Sequence, residues 1–406
     1  MKQRSLCVLG LVAAMAFSAV AVAHGEGSPY APQPQASLKQ MLSIEWKKGP
    51  NLPQGFQDSA GGLVDGVLVT AGGFCNGASV PGKEKCHPRG FLRLAWGLDL
   101  ASPEKKWQTL PALPGVGRQG LVGVTVDGKL YCWGGFNYTA PFCCKDGYCL
   151  SRQNGQWKWQ KMPDLPWYLA SYGACAIGSK IYLMGGADYN EDYYSAKDRT
   201  GRVDHLGARL LVLDTQNLDA GWKERTVCPG TPRFAHAVAA VGGAVYVIGG
   251  AAGIDNPTKK YRTVVDNWRY DPAKDSWQRL RDLPVSSGNF PPGQIVAFDR
   301  YIVLVGGYQY DGVLGIDGSL KPLYGKASKH YAGNAYYSDV FVYDTRTALF
   351  GTATSLPLNN NGVTTVVRGN CIHLMGGETG GCEIEGEKFG HHPNLYLTGT
   401  IRENNQ

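Results

Sequence analysis

An apolar run that closes on a pair of glycines recurs six times along this chain, which rules out a fold built once from unlike parts. The copies end at Gly73, Gly135, Gly186, Gly250, Gly307 and Gly377, as in Tyr246-Val247-Ile248-Gly249-Gly250. Successive second glycines stand 62, 51, 64, 57 and 70 residues apart. Self-similarity at roughly 20 to 50 residues marks solenoids and propellers, so these are such units lengthened by insertions. The runs are short, rich in β-branched and aromatic residues, and bounded by turn residues, which makes them strands. A glycine pair at a strand end lets the backbone enter conformations that a Cβ forbids.

A second phrase, a tryptophan followed by a proline-bounded turn, alternates with the first. It begins at Trp46, Trp107, Trp159, Trp222 and Trp277, with Phe350 in the sixth place. Each glycine pair also leads, after a variable insert, to a third strand such as Leu210-Leu211-Val212-Leu213-Asp214 or Phe341-Val342-Tyr343-Asp344. With a strand before the glycine run, every unit has four strands, a to d, where b carries the glycines and d the tryptophan. The chain opens with an orphan d strand at Trp46, passes five complete sets, and ends with a, b and c near residues 394–401. The expected fold is all-β, a six-bladed β-propeller over residues 44–401 whose N-terminal strand completes the last blade and removes its open edge.

The ends and the composition set the surroundings. Residues 1–23 read as a secretory signal: Lys2 and Arg4 are basic, residues 6–22 are nearly all apolar, and Ala21-Val22-Ala23 offers a small-x-small cleavage site. Residues 24–43, with Pro29, Pro32 and Pro34, read as a flexible leader. No later run reaches the roughly 18 apolar residues of a membrane helix, so the expected location is periplasmic or secreted, with no membrane span. Loss of Lys2 and Arg4 takes the formal charge from +7 to +5, too mild and scattered to call for nucleic acid. Ten cysteines then remain, an even number that in an exported protein reads as disulfides, with Cys75–Cys86 and Cys371–Cys382 as local pairs. The alternative for Cys143, Cys144 and Cys149 is a soft metal, but no histidine stands near them; no metal or other cofactor is expected.

Chemistry is expected on the face where the b-to-c and d-to-a loops emerge. The inserts after the glycine pairs cover about residues 74–92, 136–149, 187–208, 251–266, 308–338 and 378–393, and loops of such length in a compact domain are usually functional. The d-to-a loops add Gln57, Asp58, Arg118, Gln119, Ser171, Tyr172, Arg233, His236, Asn289, Phe290, Asn360 and Asn361. Polar and aromatic groups converging on a channel suit a sugar, whose hydroxyls need paired donors and acceptors and whose ring faces stack on aromatics. The candidate ligand contacts are Arg118, Tyr172, Arg233, His236, Arg262 and Asn289. An arginine with a histidine three residues on is itself a pattern of the repeat family that this chain resembles, so Arg233 and His236 are more often structural. Asp188 is an acid in the third insert, and Glu378 directly follows the sixth glycine pair, close to the mouth.

The glycine pairs, Tyr270-Asp271-Pro272 and Trp277 resemble kelch repeats. Leu374-Met375-Gly376-Gly377-Glu378-Thr379, Pro284-Val285-Ser286-Ser287, Tyr337-Ser338-Asp339 and the layout of one strand before five sets resemble the bacterial N-acetylneuraminate epimerase (sialic acid mutarotase) family. The resemblance implies an exported six-bladed propeller that interconverts the anomers of a sialic acid. One group would take the anomeric hydroxyl proton, another would protonate the ring oxygen, and an arginine would hold the sugar carboxylate. That family places a glutamate after the fourth glycine turn and an Arg-Thr pair shortly beyond; this chain has Arg262-Thr263 but Ala251, and its sixth d-to-a loop, Asn359-Asn360-Asn361-Gly362, lacks the arginine expected there. The resemblance thus implies Glu378 or Asp188 as the acid and base and Arg262 and Arg233 as carboxylate partners. The alternative is a non-catalytic propeller that binds glycans or protein partners through the same face. A copper radical oxidase, which also uses kelch blades, would need two tyrosines and two histidines on one metal and seven blades.

Overall fold

A computed structural model of the protein describes residues 38–77, 90–138, 142–189, 206–253, 261–290, 293–310, 312–316, 319–321, 329–331 and 334–404. The expected signal segment and most of the leader lie outside the described residues. The chain is all-β, and among the described residues no helix is long and apolar enough to cross a membrane.

Five four-stranded antiparallel sheets follow one another, each with strands in the order a-b-c-d. Their b strands are Val67–Ala71, Lys129–Trp133, Lys180–Met184, Ala244–Ile248 and Tyr301–Val305, the apolar runs picked out above. A sixth sheet joins a (Thr364–Arg368), b (Cys371–Met375) and c (Tyr396–Glu403) to Leu42–Lys48, which pairs along its whole length with the c strand. That N-terminal strand starts two residues before Ile44, and Met41 already donates its N–H to Thr352 O at 2.8 Å.

The a strands, Ala60–Val64, Val124–Val126, Gly173–Ile177, Ala237–Val241, Val296–Ala297 and Thr364–Arg368, each lie against the a strands of the sheets before and after, and the sixth lies against the first. Apolar side chains fill the spaces between neighbouring sheets: Ile44, Val303, Val342, Ile372 and Leu397 form one such layer between the fifth and sixth. Four of the five tryptophans of the phrase fasten the outer strands. The indole N–H of Trp107 donates to Pro50 O (2.9 Å), Trp159 to Pro111 O (2.8 Å), Trp277 to Thr226 O (2.7 Å) and Trp46 to Ser355 O (2.9 Å), each reaching the turn of the preceding sheet. The phrase of tryptophan then proline turn is thus donor and acceptor of one repeated inter-sheet bond.

The glycine pairs bring the loops inward. The second glycine of the fourth pair, Gly250, has φ +110°, and a Cβ there would stand 2.7 Å from His236 Cβ and 2.8 Å from Phe234 O. The residue after each pair then bridges to a d-to-a loop: Phe74 to Gln57, Phe136 to Gln119, Ala187 to Ala170, Ala251 to Phe234, Tyr308 to Gly288 and Glu378 to Asn361.

The cysteines depart from the expected pattern. Cys371 carries a free thiol at the start of its b strand, while Cys382 lies beyond the glycine pair at the strand's other end, so the proposed staple does not form. Five residues of strand, at about 3.3 Å each, separate them too widely. Cys132, Cys143, Cys144, Cys149, Cys175 and Cys228 are buried free thiols, most of them packed as small apolar side chains. Cys86, the expected partner of Cys75, lies outside the described residues.

The role given to the glycine pairs predicts that Gly250→Ala costs about 3 kcal/mol in chemical denaturation, because strain and contact add. Gly178→Ala, at φ +57° with nothing within 4 Å of the new Cβ, should cost about 1 kcal/mol. Equal losses would show that the close approach at Gly250 carries no weight.

Candidate active site

One residue beyond each bridging loop position, the chain makes a second six-membered set: Asp58, Gly120, Ser171, Ala235, Asn289 and Gly362. All six have φ between +50° and +70°. Their backbones are linked from sheet to sheet, with Asp58 N–H donating to Gly362 O (2.9 Å), Gly120 to Asp58 O (3.0 Å), Ser171 to Gly120 O (2.8 Å) and Ala235 to Ser171 O (2.7 Å). Beneath this collar a cavity of about 70 Å³ runs between the a strands, lined among others by Asp58, Ser59, Ser171, Asn289 and Thr364. It has room for a few waters, far below the several hundred Å³ of an ordinary ligand pocket, so a ligand of sugar size fits only above the collar.

Above the collar the bridging residues open an aromatic belt. Ring centroids step from His391 to His392 (4.8 Å), to Phe74 (5.7 Å), Phe91 (5.1 Å), Phe136 (6.1 Å), Tyr189 (4.9 Å), Phe234 (6.3 Å), Tyr261 (4.8 Å), Tyr310 (6.1 Å) and Tyr308 (4.5 Å). These separations lie in the range where aromatic pairs attract. The belt draws on all six sheets' loops; Tyr189, Phe234 and His392 are buried within it, and the partly exposed rings are of the kind on which sugars stack.

Glu378 is the one acid among the six bridging residues. Its backbone is held on both sides by Asn361, through Glu378 N–H to Asn361 O (2.7 Å) and Asn361 N–H to Glu378 O (3.0 Å). Its carboxylate meets His391 Nε2 through Oε1 at 2.9 Å and accepts Asn361 Nδ2 through Oε2 at 3.2 Å. Asn289 Nδ2 in turn donates to Asn361 Oδ1 at 2.5 Å. The result is a chain of polar contacts, Asn289 to Asn361 to Glu378 to His391, across the fifth and sixth sheets' loops. Burial opposes the charge on Glu378, but the His391 hydrogen bond and charge outweigh it and hold the carboxyl below its usual range. Burial likewise opposes charge on His391, and Glu378 raises its pKa. Both shifts favour a charged pair, with the His391 side chain 19% and the Glu378 side chain 21% exposed.

Glu378, His391 and His392 bring their ligating atoms within 4.8 Å of one another, close enough to ask whether they hold a cation. Proton placement decides against that reading. His391 Nδ1 donates to Thr379 O at 2.7 Å, as ligating histidines also do, so the case rests on His392. His392 Nδ1 accepts the Asn76 N–H at 2.9 Å, so the neutral ring carries its proton on Nε2 and offers a donor where a metal needs a lone pair. Burial lowers the His392 pKa to about 4, which keeps it neutral.

The other sequence candidates fall in different places. Arg118 and Arg233 point into the sheets. Arg118 pairs with both oxygens of Asp146 (2.6 and 3.0 Å) and donates to Gly134 O (3.2 Å) and Val116 O (3.0 Å). Arg233 pairs with Asp266 and donates to Gly249 O (3.2 Å) and Thr231 O (2.9 Å). Both are at most 2% exposed and clamp the first glycine of a pair to the start of the following c strand. They are structural, and a substrate carboxylate cannot reach them. In the sixth sheet Asn360 does the same work, donating Nδ2 to Gly376 O (3.1 Å) and accepting Glu378 N–H at Oδ1 (3.0 Å), which accounts for the absent arginine there. His236 is fully buried; its Cε1 lies 2.7 Å from where a Gly185 Cβ would be, and burial, then Arg233, push its pKa down to about 3. Tyr172 is spent on Trp133 O, to which its hydroxyl donates at 2.7 Å. Asp188 stands beside the Cys143 thiol, which burial drives upward. Arg262 is half-buried in a loop strand, paired with Ala252 and next to Tyr261 of the belt.

Of the residues expected from sequence, Glu378 and Asn289 fall on one chain of polar contacts and Arg262 lies beside the belt, while His391 and His392 were not among those expected. Their signal was a histidine doublet in the same insert as Glu378.

Comparison with known proteins follows the same lines. The kelch motif matches residues 232–284. N-acetylneuraminate epimerase of Haemophilus influenzae (strain 86-028NP) is 25% identical over 358 residues, covering 82% of this chain and 88% of that protein. The N-acetylneuraminate epimerase of Pasteurella multocida (strain Pm70) is 25% identical over 368 residues, with the same coverage of both chains. A solved structure titled "Structure of YjhT" superposes with a TM-score of 0.62 at 18% identity, covering 87% of this chain and 99% of that one, which is a likeness of fold. The chain resembles the N-acetylneuraminate epimerases over most of its length.

The structural reading of the buried arginine predicts that Arg233→Ala, which strands the Asp266 carboxylate, lowers stability by about 3–5 kcal/mol in chemical denaturation. The affinity of the folded fraction for an acidic sugar should stay within threefold in calorimetry. Preserved stability with weakened sugar binding would return Arg233 to the ligand site.

Proposed function

We propose that this protein is an exported sugar mutarotase, a six-bladed kelch propeller closed by its N-terminal strand, that interconverts the anomers of N-acetylneuraminate or a related acidic sugar. The observation that carries the proposal is Glu378: an ionised carboxylate, fixed by His391 and Asn361, at the edge of the collar and beside the aromatic belt. Its similarity to epimerases of that substrate, over 82% of the chain, supports the same reaction. The six repeated sheets, the return of the a-strand contacts from sixth to first, and the pairing of Leu42–Lys48 with Tyr396–Glu403 support the closed six-bladed form. Export rests on the basic and apolar pattern of residues 1–23.

In the proposed reaction the sugar lies over the collar with a ring face on the belt. Glu378 takes the proton of the anomeric hydroxyl, the ring opens, and closure from the other face yields the second anomer. Arg262 holds the sugar carboxylate from the fourth sheet's loop, where its planar guanidinium suits a bidentate contact. Asn361 and His391 act as positioning residues: they keep Glu378 charged and pointed at the mouth.

A second reading, a propeller that binds glycans or protein partners without turning them over, is favoured by Ala251. That residue is fully buried among Phe234, Tyr261 and Tyr310, where the family has its glutamate. One experiment separates the two: proton NMR of anomer exchange in freshly dissolved N-acetylneuraminate. With micromolar protein the exchange should accelerate, and Glu378→Gln should slow the catalysed part by about 100-fold or more. Arg262→Ala should act chiefly through weaker sugar binding. Sugar binding without acceleration, across several acidic sugars, would establish the second reading.

A further inference from the structure

Opening a sugar ring needs an acid as well as a base, and one further carboxyl lies at the collar. Asp58 is the only acid among the six collar residues, in a conformation (φ +52°) that aspartate tolerates and most residues avoid. It lines the cavity, and Gln57 Nε2 donates to its Oδ2 at 3.2 Å. Its other oxygen, Oδ1, occupies space that the neighbouring loop keeps free: a Cβ on Gly362 would stand 2.7 Å from it. Asn361, next to that glycine, is the residue that grips Glu378. The sixth sheet's loop therefore seats both carboxyl groups, one in the gap at Gly362 and one on Asn361. No basic side chain or second hydrogen-bond donor accompanies Gln57 at Asp58 among the interactions described, whereas Glu378 has His391.

Resting on the mutarotase reading, we propose that Asp58 is the general acid of the reaction, the partner of Glu378 across the sugar's anomeric centre. The anomeric hydroxyl gives its proton to the Glu378 carboxylate while Asp58 gives its proton to the ring oxygen. The bond between the anomeric carbon and the ring oxygen breaks, its electron pair leaves with the oxygen, and the anomeric oxygen's freed pair becomes a carbonyl. The open chain rotates about the bond beside that carbonyl. On closure the chain hydroxyl returns its proton to Asp58, Glu378 reprotonates the carbonyl oxygen, and both groups end as they began.

The unequal surroundings of the two carboxyls fit unequal roles. Burial, and then the charge on Glu378, push the Asp58 pKa up to about 7, against the pull of Gln57, while His391 holds Glu378 ionised. The charged and titratable groups facing this pair are each other and His391, with neutral His392 behind. Asp58 is thus a proton donor below about pH 7. Because its folded pKa lies above the ordinary carboxyl value, the donor is lost as pH rises through about 7.

The test is anomer exchange by NMR across pH, for the native protein and Asp58→Asn, with sugar affinity by calorimetry. The native rate should fall as pH rises through about 7, and Asp58→Asn should lose about 100-fold or more with affinity within threefold. Native catalysis that survives in Asp58→Asn within threefold overturns this role alone and leaves the mutarotase reading intact. A native protein without catalysis overturns both. Should the variant fail to fold, the carboxyl ¹³C titration of the native protein decides: an Asp58 midpoint near 7 supports the role, and one near 4 overturns it.

Discussion

The close approach of the glycine pairs to the d-to-a loops is the constraint on which the rest depends. At Gly250 a side chain of any kind would strike Phe234 O and His236, and each of the other pairs is likewise followed by a bridge to its own loop. Only with that approach can the next residue bridge to the loop and the one beyond the bridge join the collar. The collar then links sheets that are far apart in sequence by backbone hydrogen bonds, and the tryptophans do the same at the outer strands. Inner and outer bonds together set the angle between neighbouring sheets, while the apolar layers between them supply the bulk of the stabilisation.

The charges divide into two classes by surroundings. Arg118, paired with Asp146, and Arg233, paired with Asp266, are buried arginines that donate to backbone carbonyls of the glycine turns. Such pairs contribute little net stabilisation but are costly to break. Glu378 and His391 are part-exposed, and the two carboxylate oxygens meet His391 and Asn361. A group held charged, anchored through its backbone, and left accessible is what proton transfer requires. The aromatic belt that adjoins it is uncharged beyond His391.

Much of this was legible in the residues, and the limits have a physical form. Features that repeat with the unit, the glycine strands and the tryptophan turns, could be read by comparing the chain with itself. The placement of Glu378 followed from the same logic, because a residue adjoining a glycine pair must lie near the mouth. Arg118 and Tyr172, and Arg233 beside its structural reading, were placed at the ligand because loop position was taken for direction. Their side chains turn back into the sheets, and only the distant partners Asp146, Asp266 and Trp133 show it. The contact of Glu378 with His391 spans 13 residues across a short hairpin, Cys382–Ile384 with Glu387–Phe389, and the Asp58 carboxyl depends on a gap at Gly362, some 300 positions away. Neither separation has a period that sequence could reveal. The expected Cys371–Cys382 staple failed for the converse reason, since nearness in sequence did not survive an intervening strand.

The central claim, that an acidic sugar reacts above the collar between its two carboxyls, is tested most directly by a crystal structure of the Glu378→Gln variant grown with N-acetylneuraminate. The account predicts the sugar on the aromatic belt with its anomeric oxygen within about 3.2 Å of the side chain at position 378 and its ring oxygen facing Asp58. A sugar bound elsewhere on the molecule, or over the collar with its anomeric carbon turned away from both groups, would contradict it.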